Sequence, residues 1–176
     1  PSSSSFFAML PGSAYQTVAT STFSQPAPDN HFFLSAWVCP GSGSADLSLI
    51  QYDEDGQSVA TAGIRVNADG TIAAFETAPV LEVNHHGVAY SLPMDIDGEK
   101  FKYYRVFISF ELEYDPAVAS HVAIVLQNSS VDSPRSVWFD GVQLEKAFAD
   151  QTRPTAFSDR YKIHSPTRNR ALDGSL

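Results

Sequence analysis

Residues 103–114 read YYRVFISFELEY. Tyr104, Val106, Ile108, Phe110, Leu112 and Tyr114 fall on one side of an extended chain, and Tyr103, Arg105, Phe107, Ser109, Glu111 and Glu113 on the other. Successive side chains of a strand point to opposite faces, so this period of two predicts a strand with one face in the core. The same period runs through FFLSAWV (32–38), LSLIQY (47–52), SVATAGIRV (58–66), TIAAFET (71–77), VAYSL (88–92), HVAIVLQ (121–127) and SVWFDGVQLE (136–145), with YQTVATSTF (15–23) as a further candidate. No amphipathic helical period stands out. Eight or nine short strands predict an all-β sandwich or barrel. Apolar groups on both sides of FFLSAWV favour a two-layer sandwich with aromatic side chains left for one outer face.

Turn chemistry separates the strands. DEDG (53–56), NADG (67–70) and DIDG (95–98) are tight turns in which Asp caps its own backbone. The strands around them do not match one another, so they are not sequence repeats. QPAPDN and PGSGS read as longer loops.

With 176 residues, 43% of them apolar, the chain is one globular domain able to bury a core. A single cysteine, Cys39, excludes an internal disulfide and a cysteine-rich zinc site. No apolar run approaches a membrane span, so no membrane insertion is expected. PSSSSFFAML lacks a basic leader region and does not read as a signal peptide. The chain begins at Pro1 without methionine, as a trimmed, processed or partial chain would.

Charge is unevenly spread. Residues 1–152 hold 6 Lys+Arg and 18 Asp+Glu (6 − 18 = −12), and residues 153–176 hold 5 and 2 (5 − 2 = +3). An acidic body is a poor partner for phosphate, so no nucleic acid is expected. The expected organisation is an N-terminal extension (1–14), a sandwich (15–157) and a basic extended C-terminal arm (158–176).

SVWFDGVQLEKAFADQTRPTAF, residues 136–157, resembles the closing segment of jelly-roll modules grouped with carbohydrate-binding module families 4, 9 and 22, which recur in bacteriophage tail, fibre and other virion proteins. Their last strand commonly reads aromatic-Asp-Gly/Asp-apolar-Gln-Leu-Glu, followed by a stretch ending in Thr-Pro-aromatic. Here the matching residues are Trp138, Phe139, Asp140, Gly141, Val142, Gln143, Leu144 and Glu145, then Arg153, Pro154, Thr155, Ala156 and Phe157. HFFLSAWVC, YYRVFISF and HVAIVLQNSS resemble the family's inner strands more generically. The resemblance covers roughly residues 15–157 and implies a jelly-roll β-sandwich of two antiparallel sheets. The family's Asn-Leu opening segment, which often supplies calcium ligands, is replaced here by a serine run and FFAML.

The Asp140-Gly141 pair inside an apolar strand has two readings. One extra residue would make a bulge, letting Phe139 and Val142 both face inward. The resemblance adds a structural calcium ion held by Asp140, with Asp-rich loops as co-ligands.

Other chemistry is thin. His85 and His86 are adjacent beside Gly87 and read as an exposed loop, with no third ligand at metal spacing. Glu111 and Glu113 share a strand face and could pair as a glycosidase acid and base, but read as a solvated outer face. Cys39 reads as buried and inert. No serine-nucleophile motif or phosphate loop is present, so the chain is not read as an enzyme.

Aromatic side chains are the remaining signal. Trp37, Tyr52, Tyr103, Phe107 and Trp138 are candidates for the non-core face of one sheet. Sugar rings stack on such platforms while polar groups such as Arg105 and Gln143 hold hydroxyls. The candidate ligand-binding residues are Trp37, Tyr103, Arg105 and Phe107, and packing under loops is the competing role.

The expectation is a structural component of a virion (tail, fibre, baseplate or capsid decoration), made in the host cytoplasm, with copies of itself or other virion proteins as partners. Its arm would dock through Arg160, Lys162, Arg168 and Arg170, with Tyr161, Ile163 and Leu172 as apolar anchors. The alternative is a module that binds host-surface glycan.

Overall fold

The computed structural model describes residues 7–9, 14–19, 31–52, 55–76, 82–96, 98–111, 121–130, 136–147 and 150–156. The expected arm residues Arg160, Tyr161, Lys162, Ile163, Arg168, Arg170 and Leu172 lie outside the described residues, as does Glu113. Among the described residues there are ten strands and no helix: β1 (Phe7–Met9), β2 (Ala14–Ala19), β3 (His31–Cys39), β4 (Ser44–Tyr52), β5 (Ser58–Asn67), β6 (Ile72–Glu76), β7 (Glu82–Ile96), β8 (Glu99–Glu111), β9 (His121–Asn128) and β10 (Val137–Lys146).

The strands form two five-stranded sheets, ordered β1-β10-β3-β8-β7 and β2-β9-β4-β5-β6. Every pairing is antiparallel. The chain crosses repeatedly between sheets, so the inner faces of both fill one core. Leu34 and Val38 of β3, Ile108 and Phe110 of β8 and Phe139 of β10 cluster with Leu47 and Leu49 of β4, Ile64 of β5 and Ile124 of β9. Each such side chain contributes about 1.5–3 kcal/mol when fully buried. This shared layer holds the fold together, since isolated two-stranded pairs are only marginally stable in water.

The NADG turn between β5 and β6 closes one end of the sandwich. Gly70 has φ +83°, and a Cβ there would lie 2.6 Å from the Tyr104 ring on the opposite sheet. Glycine fits the left-handed backbone and leaves room for the ring.

Two expectations change. Residues 7–9, read as part of an extension, form β1 and pair with β10. Three residues are too few for alternation to be legible. His85 and His86, read as a loop, belong to β7 and pair with Ser109 and Ile108. A register shift between Val83 and His85 offsets the alternation, and both histidines are exposed.

The Asp140-Gly141 pair is a bulge. Asp140 pairs with Trp37 and Gln143 with Ser35, so three steps on β10 answer two on β3. Gly141 has φ +56°, the left-handed conformation that a glycine bulge requires. Its N–H donates to Asp140 Oδ1 at 2.7 Å. Val137 and Phe139 lie in the core before the bulge, and Val142 and Leu144 pack on the same core after it.

Candidate functional site

Strand register lays the candidate residues in rows across the outer face of the first sheet. Asp140, Trp37, Arg105 and Tyr90 form one row. Gln143, Ser35, Phe107 and Gly87 form the next, and Glu145, Phe33, Ser109 and His85 the third. Tyr103 stands two residues from Arg105 on β8, opposite Leu92. The fold therefore brings Trp37, Tyr103, Arg105, Phe107 and Asp140 to one face.

That face is covered. Tyr103 is 4% exposed, Arg105 1% and Phe107 5%, while Trp37 is half-buried. This burial corrects the open stacking platform and, at Arg105 and Ser109, the solvated face expected of β8, while Glu111 on that strand is exposed as expected. Over Phe107 and Arg105 the cover includes the segment that follows β10. Ala147 packs with Phe33 and Phe107. Residues 150–156 then form a strap whose Thr155 carbonyl accepts from Arg105 Nη2 at 3.3 Å. The same Nη2 donates to Ser35 Oγ at 3.1 Å and Gln143 Oε1 at 3.0 Å.

Glu145 clasps the strap. Its carboxylate accepts from the Thr155 backbone N–H, the Thr155 hydroxyl and the Gln143 amide. Gln151 Nε2 adds a longer contact at 3.4 Å. Burial pulls the Arg105 guanidinium below its ordinary pKa, and the charge of Glu145 acts against that. Buried charges need such compensation. The closing-strand pattern of Gln143, Glu145 and Thr155 thereby gains a physical account: one carboxylate joins strand to strap. Sequence reasoning matched these residues without finding their contact.

The other candidates separate. Tyr52 lies on β4, in the second sheet, so it is not part of this face. Trp138 packs its ring 5.9 Å from that of Phe101, near the turn of the β7–β8 hairpin. Glu111 is exposed and accepts from Asn84 Nδ2 at 3.5 Å.

Asp140 spends one oxygen on its own bulge. Among the described residues, no three His, Cys, Asp or Glu side chains gather to hold a metal. Calcium requires six to eight oxygens, so these residues do not by themselves fit the ion that the resemblance allowed.

A second polar cluster, missed from sequence, lies on the second sheet. Arg65 Nε and Nη2 each donate to Asp46 at 2.8 Å, and Ser129 Oγ donates to Asp46 Oδ1 at 2.8 Å. With both oxygens engaged, Asp46 ties β5 and the end of β9 to β4 rather than offering a general base.

Cys39 is fully buried, and burial raises its thiol pKa. Burial also raises the Tyr103 phenol, helped by the nearby Cys39 and Asp140. Both groups ionise first in the unfolded chain, from about pH 9 upward. Their contribution to stability is intact below that pH and is lost as pH rises toward the folded-state values. Thermal melts should therefore fall steeply above about pH 9. Tyr103→Phe should flatten that fall, and an unchanged alkaline limb would overturn the assignment. Cys39 should resist a thiol reagent until urea unfolds the chain.

No family model, curated protein or solved structure matches the chain.

Proposed function

We propose that this chain is a structural, non-enzymatic component of a bacteriophage virion, in which a carbohydrate-binding-module-like jelly roll serves subunit assembly. The observation that carries the reading is the joined closing strand and strap. The described part of the segment resembling virion jelly rolls, residues 138–145 with 153–156, is joined through Glu145 and Thr155. The clasp holds Thr155 against β10, just before the basic C-terminal residues in the sequence. Repeated crossing of the chain between its two sheets supports the jelly-roll topology. Burial of Tyr103, Arg105 and Phe107 favours a rigid block over an open sugar platform.

Light-scattering mass tests this reading on the full chain and on a version ending at Phe157. A defined oligomer that becomes a monomer on truncation is the expected result. Monomers in both cases would remove self-assembly and leave glycan binding, through half-buried Trp37, as the reading to pursue by a glycan screen.

A further inference from the structure

We propose that residues 157–163 of this chain continue the strap across their own subunit and lay Tyr161 and Ile163 on Tyr90 and Leu92 of β7. The inference does not depend on the assembly reading above.

Among the described residues, Tyr90 and Leu92 are the large apolar side chains left open on the outer face of the first sheet, at 58% and 53% exposure. They pair with Arg105 and Tyr103, which are buried beside them. Val88 is also exposed, but it pairs with the core residue Val106 and belongs to the other face. A register shift after Val88 brings Tyr90 to the Arg105 side, and Ala89 packs on the cluster of Phe33, Phe107 and Ala147. Tyr90 and Leu92 therefore border the part of the face that Ala147 and the strap already cover. Pro93 beside Leu92 hinders an added strand at this edge, so an occupant must engage side chains.

Chain length selects the occupant. Thr155 is fixed on this face by Gln143 and Glu145 of β10, and the described chain stops at Ala156. Three strand spacings separate β10 from β7, or about 14 Å. Tyr161 lies six residues beyond Thr155 and Ile163 eight. Extended, those lengths span roughly 20 and 26 Å. Both side chains reach the strip with little slack. A tether this short holds its own segment there at an effective concentration on the order of millimolar, which a neighbour's segment does not match in dilute solution.

The residue pattern agrees. From Phe157 to His164 the apolar residues Phe157, Tyr161 and Ile163 share odd positions with Asp159, while Ser158, Arg160, Lys162 and His164 fill the even ones. An extended segment lays the first set on a surface and turns the second to water. Tyr161 and Ile163 are two residues apart, as are Tyr90 and Leu92, so two side chains meet two. Tyr161 and Ile163 then anchor the arm to its own subunit, and Arg168, Arg170 and Leu172 are left for a neighbour.

Limited trypsin digestion tests this, because Arg160 and Lys162 lie in the docked stretch and Arg168 and Arg170 beyond it. The full chain, diluted until light scattering gives a monomer, is digested beside a free peptide of residues 157–176 that supplies the intrinsic rate at each bond. Cleavage after Arg160 and Lys162 should be slowed at least about tenfold, the protection that roughly 1.4 kcal/mol of docking gives. Cleavage after Arg168 and Arg170 should keep the peptide's rate. Tyr90→Ser/Leu92→Ser should abolish the protection while keeping the wild-type melting temperature. A measurement on unsubstituted side chains accompanies it: nitration of Tyr90 should be faster in a chain ending at Phe157 than in the full chain. Cleavage after Arg160 and Lys162 at the peptide's rate overturns the proposal. Protection that survives the double substitution, with Tyr90 nitrated equally in both chains, places the segment elsewhere and overturns it too. Protection that appears only as protein concentration rises assigns the contact to a neighbouring copy and overturns the chain's own segment as occupant.

Discussion

Glu145→Ala is expected to lower the unfolding free energy by roughly 3 kcal/mol and to release the strap. Hydrogen bonds to charged groups contribute about 1.5–3 kcal/mol each. Glu145 accepts three from Thr155 and Gln143. Its half-buried position reduces their sum. The larger consequence lies beneath. Arg105 is 1% exposed and would keep Ser35, Gln143 and the Thr155 carbonyl as neutral acceptors without the opposing charge. Removing the charge that offsets a buried cation is strongly destabilising. Glu145→Gln keeps the shape and should lose less, about 1–1.5 kcal/mol. Urea unfolding measures both, and amide exchange should rise across residues 150–156. A loss under about 1 kcal/mol, with exchange unchanged, would show that the strap is held by something else.

Gly63→Val should cost about 3 kcal/mol, near the upper end for overpacking. The cause is space. Gly63 pairs with Ser48 on one side and Phe75 on the other. A Cβ there would lie 2.5 Å from Ser48 Cβ, 2.7 Å from Phe75 Cζ and 2.8 Å from the Leu47 carbonyl oxygen. The Phe75 ring lies against the bare glycine, but the Leu47 oxygen belongs to a neighbouring strand and cannot swing away. Gly63→Ala should cost less, and Phe75→Ala in that background should recover part of the loss. Strict additivity in the double-mutant cycle would mean that the ring is not what excludes the side chain.

The different fates of the sequence expectations have a common physical origin. Alternation reports a strand's period and turn residues report its ends, so most strands and the Asp-Gly turns were legible. The bulge was legible too, because Phe139 and Val142 are both apolar at incompatible parity. Partners and covers were not. Arg105, Ser109 and Glu111 made one face of β8 look solvated, yet Arg105 and Ser109 are buried. The segment that covers Arg105 begins after β10, some forty residues downstream. Tyr52 resembles the other candidate aromatics in sequence, but topology places it in the second sheet. A histidine pair beside glycine looked like a loop because the shift at Asn84 breaks the pattern that would have marked a strand.

The bulge in β10 also acts as a change of reading frame within a single strand. Before it, odd-numbered residues Val137 and Phe139 belong to the core; after it, even-numbered Val142 and Leu144 do. That one-residue offset sends Gln143 and Glu145 outward to the strap. Inserting one residue after Gly141, with no second bulge to absorb it, would exchange the two sets beyond it, bringing a carboxylate inward and two aliphatic side chains outward. The closing strand can therefore tolerate many changes of identity more readily than a change of length, because its two surfaces are kept apart by counting.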